Sequence, residues 1–206
     1  MPIIVRTVSR CTLSDPCQDV LLDSNAYFRL GNSIRPLLQQ SFGASPKYSL
    51  HVLAELDDEY ATNVRLRHKF EWVSQVECRN DRKAKRYELR GNDRTEVNNA
   101  FGFLLAYADE QKINLSREDM KALAAGHVKG IPVVTDDGGM TRVAKVNSIE
   151  CWSMVKLLRL MFTAGRVNMD KVTEILAYWD YERDLPMPLS KLHQVFKEYF
   201  GEDCPI

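Results

Sequence analysis

The sequence has no excess of charge of either sign, because its 28 Lys and Arg residues balance its 28 Asp and Glu residues. A protein that coats nucleic acid without specificity is usually basic. The balance excludes binding through bulk charge, and any contact with a nucleic acid must use a local patch.

Cysteine pairs are also missing. The five cysteines are an odd number and none belongs to a Cys-x-x-Cys motif, so the sequence indicates neither a disulfide framework nor a zinc site. Free thiols are typical of a reducing cytosol, and we expect a cytoplasmic protein.

Long apolar runs are absent as well. No stretch of about 18 uncharged apolar residues occurs, and the first ten residues carry two arginines without the apolar segment of a signal peptide. We therefore expect neither a membrane span nor a leader. With 45% hydrophobic and 27% charged residues, the composition is that of an ordinary globular protein.

What the sequence contains is short apolar runs that alternate with helical patterns. Residues 20–22 and 131–134 are strand-like, and residues 48–53 form either a strand or the start of a helix. Residues 97–108 place their apolar side chains on one helical face. This alternation predicts an α/β fold with a parallel sheet.

Other segments carry weaker signals. A helix is predicted over residues 54–72, and residues 79–94 read as an exposed basic loop or helix end. Residues 136–139 read as a turn, followed by a strand over residues 141–146. The chain after residue 150 carries helical apolar stripes, which favours a core domain over residues 1–150 and C-terminal helices over residues 151–206 packed on it.

Four carboxylates stand where strands end or helices begin. Taken singly, each has a structural explanation. Asp23 is a good helix cap, and Glu55 lies in an acidic first turn that the helix dipole favours. Asp119 follows Ser116 at the capping-box spacing, and Asp137 belongs to an Asp-Gly turn.

Together the four carboxylates predict a metal site. A doubly wound sheet brings the ends of its strands and the starts of the following helices to one edge. Clustered carboxylates raise one another's pKa, and a bound divalent cation removes that cost. Because the set contains oxygen ligands and no His or Cys, it favours Mg²⁺ or Mn²⁺.

The order of these motifs resembles the PIN-domain family. The match consists of Asp-Ser-Asn at residues 23–25, Ala-Glu-Leu at residues 54–56, a helical Asp followed by Ala-rich sequence at residues 119–125, a Gly and a strand at residues 130–134, and Thr-Asp-Asp at residues 135–137. It covers roughly residues 19–150.

The resemblance implies a three-layer α/β/α sandwich with a mainly parallel central sheet, extended here by C-terminal helices. It also implies hydrolysis of RNA that leaves a 5′-phosphate and a 3′-hydroxyl. Asp23, Glu55, Asp119 and Asp137 would be the catalytic carboxylates and hold Mg²⁺ or Mn²⁺, with Asp136 as a further ligand candidate. Asn25 and Thr135 would orient the ligands or the phosphate by hydrogen bonding.

The resemblance extends to partners. It suggests the toxin half of a toxin–antitoxin pair, held inactive by an antitoxin-like protein. The basic segment would dock the RNA backbone, although nearby acidic residues favour a solvated loop equally. Its candidate RNA-binding residues are Arg82, Lys83, Lys85, Arg86 and Arg90.

Several alternatives stay open at this point. The apolar stripes after residue 150 either seal the core or form the seam of a homodimer. A PIN-like scaffold without catalysis would bind RNA or a protein partner. A phosphatase with an aspartate nucleophile is a weaker alternative, because that chemistry needs Asp-x-Asp and position 25 is Asn.

Overall fold

A parallel sheet of four strands forms the centre of the protein. The computed structural model describes residues 17–206, and within them the sheet has the order β2-β1-β3-β4. The strands are β1 Cys17–Leu22, β2 Lys47–Val52, β3 Val133–Val134 and β4 Cys151–Trp152. All three pairings are parallel, which confirms the predicted sheet.

Helices surround this sheet and make the described part of the chain mostly helical. They are α1 Ser24–Leu30, α2 Glu55–Thr62, α3 Val64–Lys69, α4 Val76–Ala84, α5 Asn92–Glu110, α6 Arg117–Lys129, α7 Gly138–Val146, α8 Met154–Thr163, α9 Met169–Tyr181 and α10 Leu189–Phe200.

The side chains of β1 alternate between two apolar cores, because successive residues of a strand point to opposite faces. Val20 and Leu22 pack with α1, α8, α9 and α10. Leu21 packs with α5, α6 and α7 on the other face. Helices therefore cover both faces of the sheet, and the predicted three-layer α/β/α arrangement is confirmed.

The strand ends bring two polar residues side by side. The amide of Asp23, directly after β1, donates to the carbonyl of Val134 at 3.1 Å, and the amide of Thr135, directly after β3, donates to the carbonyl of Trp152 at 2.9 Å. The carboxyl ends of these neighbouring strands thus lie at one edge of the sheet, where parallel sheets place their sites.

Two of the sequence-based element predictions are wrong in detail. The single helix expected over residues 54–72 is divided at Asn63, whose Oδ1 accepts from the amides of Arg65 and Leu66 and starts α3. The strand expected over residues 141–146 is part of α7 instead. Asp137 starts that helix, because its Oδ1 accepts from the amide of Met140 at 2.8 Å.

The chain after residue 150 belongs to the same core. It supplies the strand β4 as well as α8 to α10, and both apolar stripes are buried against the sheet and its helices. Leu158, Leu176 and Phe196 are each no more than 1% exposed. The stripes therefore seal the core, and they are not available as a dimer seam. Within residues 17–206, none of the helices combines the length and apolar character that a membrane span requires.

Candidate active site

Asp23 occupies the centre of the candidate site. It lies between β1 and α1 and caps α1, since its Oδ1 accepts from the amide of Ala26 at 2.6 Å. The residue is 3% exposed. Its second oxygen, Oδ2, is buried and has no hydrogen-bond partner within residues 17–206.

Burial raises the pKa of Asp23 from 3.8 to about 7, because a charged carboxylate loses its hydration inside the protein. The hydroxyl of Thr135 and the amide of Ala26 oppose this rise, and the charges of Asp119 and Asp136 add to it. The carboxyl is consequently shared between its neutral and charged forms near neutral pH.

Asp119 forms the capping box that its spacing predicted. Its amide donates to Ser116 Oγ at 3.0 Å, while its Oδ2 accepts from the amide of Ser116 at 3.2 Å. Burial raises its pKa, the hydrogen bonds from Ser116 oppose the rise, and the charges of Asp137 and Glu118 add to it. The cap and a place in the site are therefore compatible, because Asp119 is half-buried among other acids.

Glu55 is the first residue of α2 and takes part in an ion pair with α6. Lys121 Nζ donates to Glu55 Oε1 at 2.6 Å, and both side chains are about one quarter exposed, 27% for Lys121 and 26% for Glu55. The acidic first turn that the sequence indicated is present. Its Glu55 pairs with the ammonium of Lys121.

Three of the four predicted ligands line one small cavity, which we call the acid cavity. It is lined by Asp23, Glu55 and Asp119 together with Ser24 and Glu118, and by the apolar Leu22, Leu53, Leu56 and Ala122. Its volume is about 10 Å³, close to what one water-sized sphere fills. As they stand, no three His, Cys, Asp or Glu side chains within residues 17–206 are grouped closely enough to hold an ion.

Asp137 and Asp136 leave β3 in different directions. Asp137 is exposed at the start of α7, near enough to Asp119 to raise its pKa. Asp136 accepts from the amide of Met154 at 3.0 Å and lines a separate cavity of about 250 Å³ with Lys191. Burial raises the pKa of Asp136 to about 6.

The two residues predicted to orient ligands have different environments. Thr135 is 2% exposed, its Oγ1 accepts from the amide of Asp137 at 3.1 Å, and its hydroxyl lies close enough to lower the pKa of Asp23. Asn25 is exposed on α1 and does not line the acid cavity. Ser24 lines it instead.

Sequence reasoning missed two further acids near this site. Glu59 stands one helical turn after Glu55, and burial raises its pKa, with a hydrogen bond to Ser24 opposing the rise and the charges of Asp119 and Glu118 adding to it. The spacing of Glu55 and Glu59 at i and i+4 places both on one helical face, and this signal was present in the sequence. Glu118 gave no pattern beyond adjacency to Asp119.

The segment around Arg82, predicted to be an exposed loop or helix end, is a helix end, but the prediction that Arg82 is exposed is wrong. Residues 76–84 form α4, and Arg82 is 3% exposed. Its Nε donates to Asp57 at 2.8 Å, and its Nη1 donates to the hydroxyl of Tyr27 and to the carbonyls of Val73 and Cys78. The guanidinium is therefore a structural group inside the protein, without a surface to offer to RNA.

The other predicted RNA-binding residues remain at or near the surface. Lys83 is exposed, and Lys85 donates to Ser49 Oγ at 3.0 Å. Arg86 pairs with Asp57, and Arg90 pairs with Glu88, each at 2.8 Å.

A groove of about 600 Å³ opens beside the acid cavity, and we call it the basic groove. Its charged lining consists of Arg86, Arg90, Arg94 and Lys121 against Glu55 and Glu88, with Tyr87 and apolar side chains between them. Four cations against two anions give this lining a positive balance of two charges. Glu55 lines both the basic groove and the acid cavity, so the two are neighbours.

Comparison with known proteins yields little similarity. No family model matches the chain, and no curated protein matches it significantly. Among solved structures, the crystal structure of FitAcB from Neisseria gonorrhoeae is similar at 13% sequence identity and a TM-score of 0.41, over 66% of this chain and 97% of that one. A likeness at this level establishes neither a family nor an activity.

Proposed function

We propose that this protein is a metal-dependent nuclease that hydrolyses the phosphodiester backbone of RNA, as the resemblance to the PIN-domain family implies. The observation that carries the proposal is Oδ2 of Asp23, a buried carboxylate oxygen without a partner within residues 17–206. A buried acceptor in this state is costly, and a divalent cation would supply the missing partner.

The neighbouring side chains have the chemistry that such a cation requires, but they would have to move toward one another to hold it, because no three of them within residues 17–206 are grouped closely enough as they stand. Asp23, Glu55 and Asp119 line one cavity, and all offer hard oxygen ligands of the kind that Mg²⁺ and Mn²⁺ prefer. Asp137 is electrostatically close to Asp119 and would complete the set. Asp136 shares the neighbourhood of Asp23 but faces another cavity, which makes it the weakest ligand candidate.

The bound cation would supply Lewis acidity toward water and the scissile phosphate. The residues of the chain would hold the cation and position its ligands. Asp23 would give up its proton on binding the cation, which its pKa of about 7 permits near neutrality. Thr135, whose hydroxyl lies close enough to lower the pKa of Asp23, would orient the ligands from beside Asp23, and the capping box would fix Asp119 at the start of α6.

The basic groove would bind the nucleic acid. Arg86, Arg90 and Arg94 would contact phosphates, and Tyr87 offers a ring for base stacking. This local patch satisfies the requirement set by a net charge of zero. Arg82 is left out of this role because it is buried.

The test is cleavage of a labelled RNA with and without Mn²⁺ by the wild type, Asp23→Asn and Asp119→Asn. Asn keeps a side-chain oxygen for each cap, so both variants should fold. Mutation of an outer-shell partner typically lowers activity by about 10- to 100-fold at a metal site, so loss of a ligand should lower cleavage by at least about 100-fold. Glu110→Gln, at the exposed end of α5 and outside both cavities, is the matched control. Wild-type rates in folded Asp23→Asn would contradict the proposal.

A second candidate is a scaffold of the same fold that binds RNA without cutting it. It is favoured by one observation, namely that no three acids within residues 17–206 stand close enough to hold an ion. Calorimetric titration with Mn²⁺ separates the two. A nuclease binds Mn²⁺ in a manner that Asp23→Asn abolishes, whereas a scaffold binds none through these acids. An antitoxin-like partner and a cytoplasmic location stay predictions.

A further inference from the structure

One ion pair stands at the junction of the basic groove and the acid cavity. Lys121 lines the groove, and its Nζ contacts Oε1 of Glu55 at 2.6 Å. Glu55 in turn lines both the groove and the cavity. Any ligand that competes for Lys121 in the groove therefore changes the state of a carboxylate in the cavity.

We propose that Lys121 is a positioning residue whose ammonium is exchanged between Glu55 and a phosphodiester chain in the groove. While the groove is empty, Lys121 neutralises Glu55. When a phosphate occupies the groove, the ammonium moves to it and leaves Glu55 free for a cation. The link to the cation rests on the proposed function, whereas the exchange itself does not.

The chemistry of the pair suits an exchange. Lysine is a compact point charge on a flexible stem, and the pair is only partly buried, so the ammonium has access to a phosphate in the groove that Lys121 lines. A phosphodiester oxygen carries the same charge as the carboxylate and binds lysine in the same way. The ammonium therefore gains little by staying with Glu55 once a phosphate is near.

The other cations of the basic groove do not pair with side chains of the acid cavity. Arg86 pairs with Asp57, Arg90 pairs with Glu88, and Arg94 donates to the carbonyl of Leu89. None of these acceptors lines the acid cavity. Among the groove cations of the described residues, Lys121 is thus the one whose contact with a bound phosphate would affect Glu55, a proposed metal ligand.

The first experiment measures binding of a fluorescent single-stranded oligonucleotide in EDTA, where no divalent cation takes part. Wild type, Glu55→Gln, Lys121→Gln and the double variant form a double-mutant cycle. Freed from its partner, Lys121 should strengthen binding by roughly two- to fivefold in Glu55→Gln. The gain should shrink markedly when Lys121 is also replaced.

Two controls separate exchange from a general change in charge and from misfolding. Glu88→Gln removes a groove acid that pairs with Arg90 and not with Lys121, so its gain should be the same with and without Lys121. Lys121→Met keeps the alkyl stem and serves if Lys121→Gln is poorly folded by thermal unfolding. Equal gains from Glu55→Gln in the presence and absence of Lys121 would overturn the proposal.

The second experiment titrates Mn²⁺ into the wild type and Lys121→Gln by calorimetry. The variant should bind Mn²⁺ several-fold more tightly, because Glu55 no longer has a competing ammonium. Unchanged or weaker Mn²⁺ binding by the variant would overturn the link to the cation. Absence of Mn²⁺ binding in both proteins would overturn the proposed function, while the cycle in EDTA would still decide the exchange.

Discussion

At the scale of single residues, Asp23 links the site to the stability of the protein. Its carboxyl has a pKa of 3.8 when hydrated and about 7 in the folded state. Between these values the folded state keeps a proton that the unfolded state has lost, so the free energy of unfolding falls as pH rises from about 4 to about 7. At about 1.4 kcal/mol per pKa unit, the loss reaches roughly 4 kcal/mol.

Asp23→Asn should remove this pH-dependent loss of stability. Asn also caps helices and does not ionise, so at pH 8 the variant should be more stable than the wild type. At pH 4 the two should differ little, because the wild-type carboxyl is then neutral in the folded state. Urea unfolding of both proteins at the two pH values, in EDTA, measures the difference. A difference in unfolding free energy of the same size at both pH values would show that ionisation of Asp23 is not its cause.

Burial of individual charged residues was the least predictable feature. The sequence around Arg82 is crowded with Lys, Arg and Asp, which indicates an exposed segment, yet Arg82 lies inside with four acceptors around it. Those acceptors come from Tyr27, Asp57, Val73 and Cys78. Only the assembled fold brings them together, so composition in a local window could not reveal them.

At the scale of elements, the fit of α6 against β3 depends on Gly126. A Cβ added there would stand 2.4 Å from Cγ2 of Val133 and 3.2 Å from the carbonyl of Ile131. Val133 is a fully buried, β-branched residue of the central sheet, so it has little freedom to move. The glycine is therefore required by close packing.

Gly126→Ala should destabilise the protein by roughly 1–3 kcal/mol, since overpacking outweighs the better helix propensity of alanine. Gly102→Ala is the matched control, because Gly102 lies within α5 and a Cβ there meets nothing within 4 Å. That change should stabilise the protein by about 0.5–1 kcal/mol. Urea unfolding of both variants gives the signs. Equal effects would show that α6 yields locally around the new methyl group.

Elements with strong local signals were predictable from the sequence, and elements set by distant contacts were not. The capping box of Ser116 and Asp119 marked the start of α6, and apolar runs marked β1 and β3. The run at residues 48–53 left β2 open between a strand and a helix start, and the structure decides for the strand. The two-residue strand β4 has no run of its own and forms only because β3 pairs with it. At Asp137, the Asp-Gly signal of a turn also fits a helix cap, and the buried Met140 decides for the helix.

At the scale of the whole molecule, the chain before residue 150 does not contain the complete core. β4 pairs with β3, and Leu158 and Phe196 join the same buried cluster as Val20. A fragment of residues 1–150 should therefore lack a cooperative unfolding transition. Urea unfolding followed by fluorescence, compared with the full chain, checks this expectation. A sigmoidal transition in the fragment would show that residues 151–206 are dispensable for folding.

The candidate site was predictable to the extent that it follows the topology of the sheet. The rule that sites gather at the carboxyl ends of parallel strands was enough to bring Asp23, Glu55 and Asp119 to one place. The divergence of Asp136 from Asp137 depends on the amide of Met154, and the pairing of Glu55 with Lys121 depends on how α2 meets α6. Neither contact can be predicted from the spacing of residues along the sequence.

The inner position of β1 has a consequence for synthesis on the ribosome. The amide of Leu21 in β1 donates to the carbonyl of Pro132, and β3 in turn pairs with β4 at residues 151–152. More than a hundred residues must emerge before the middle of the sheet can assemble. The middle of the sheet therefore cannot assemble until the whole segment from β1 to β4 has left the ribosome.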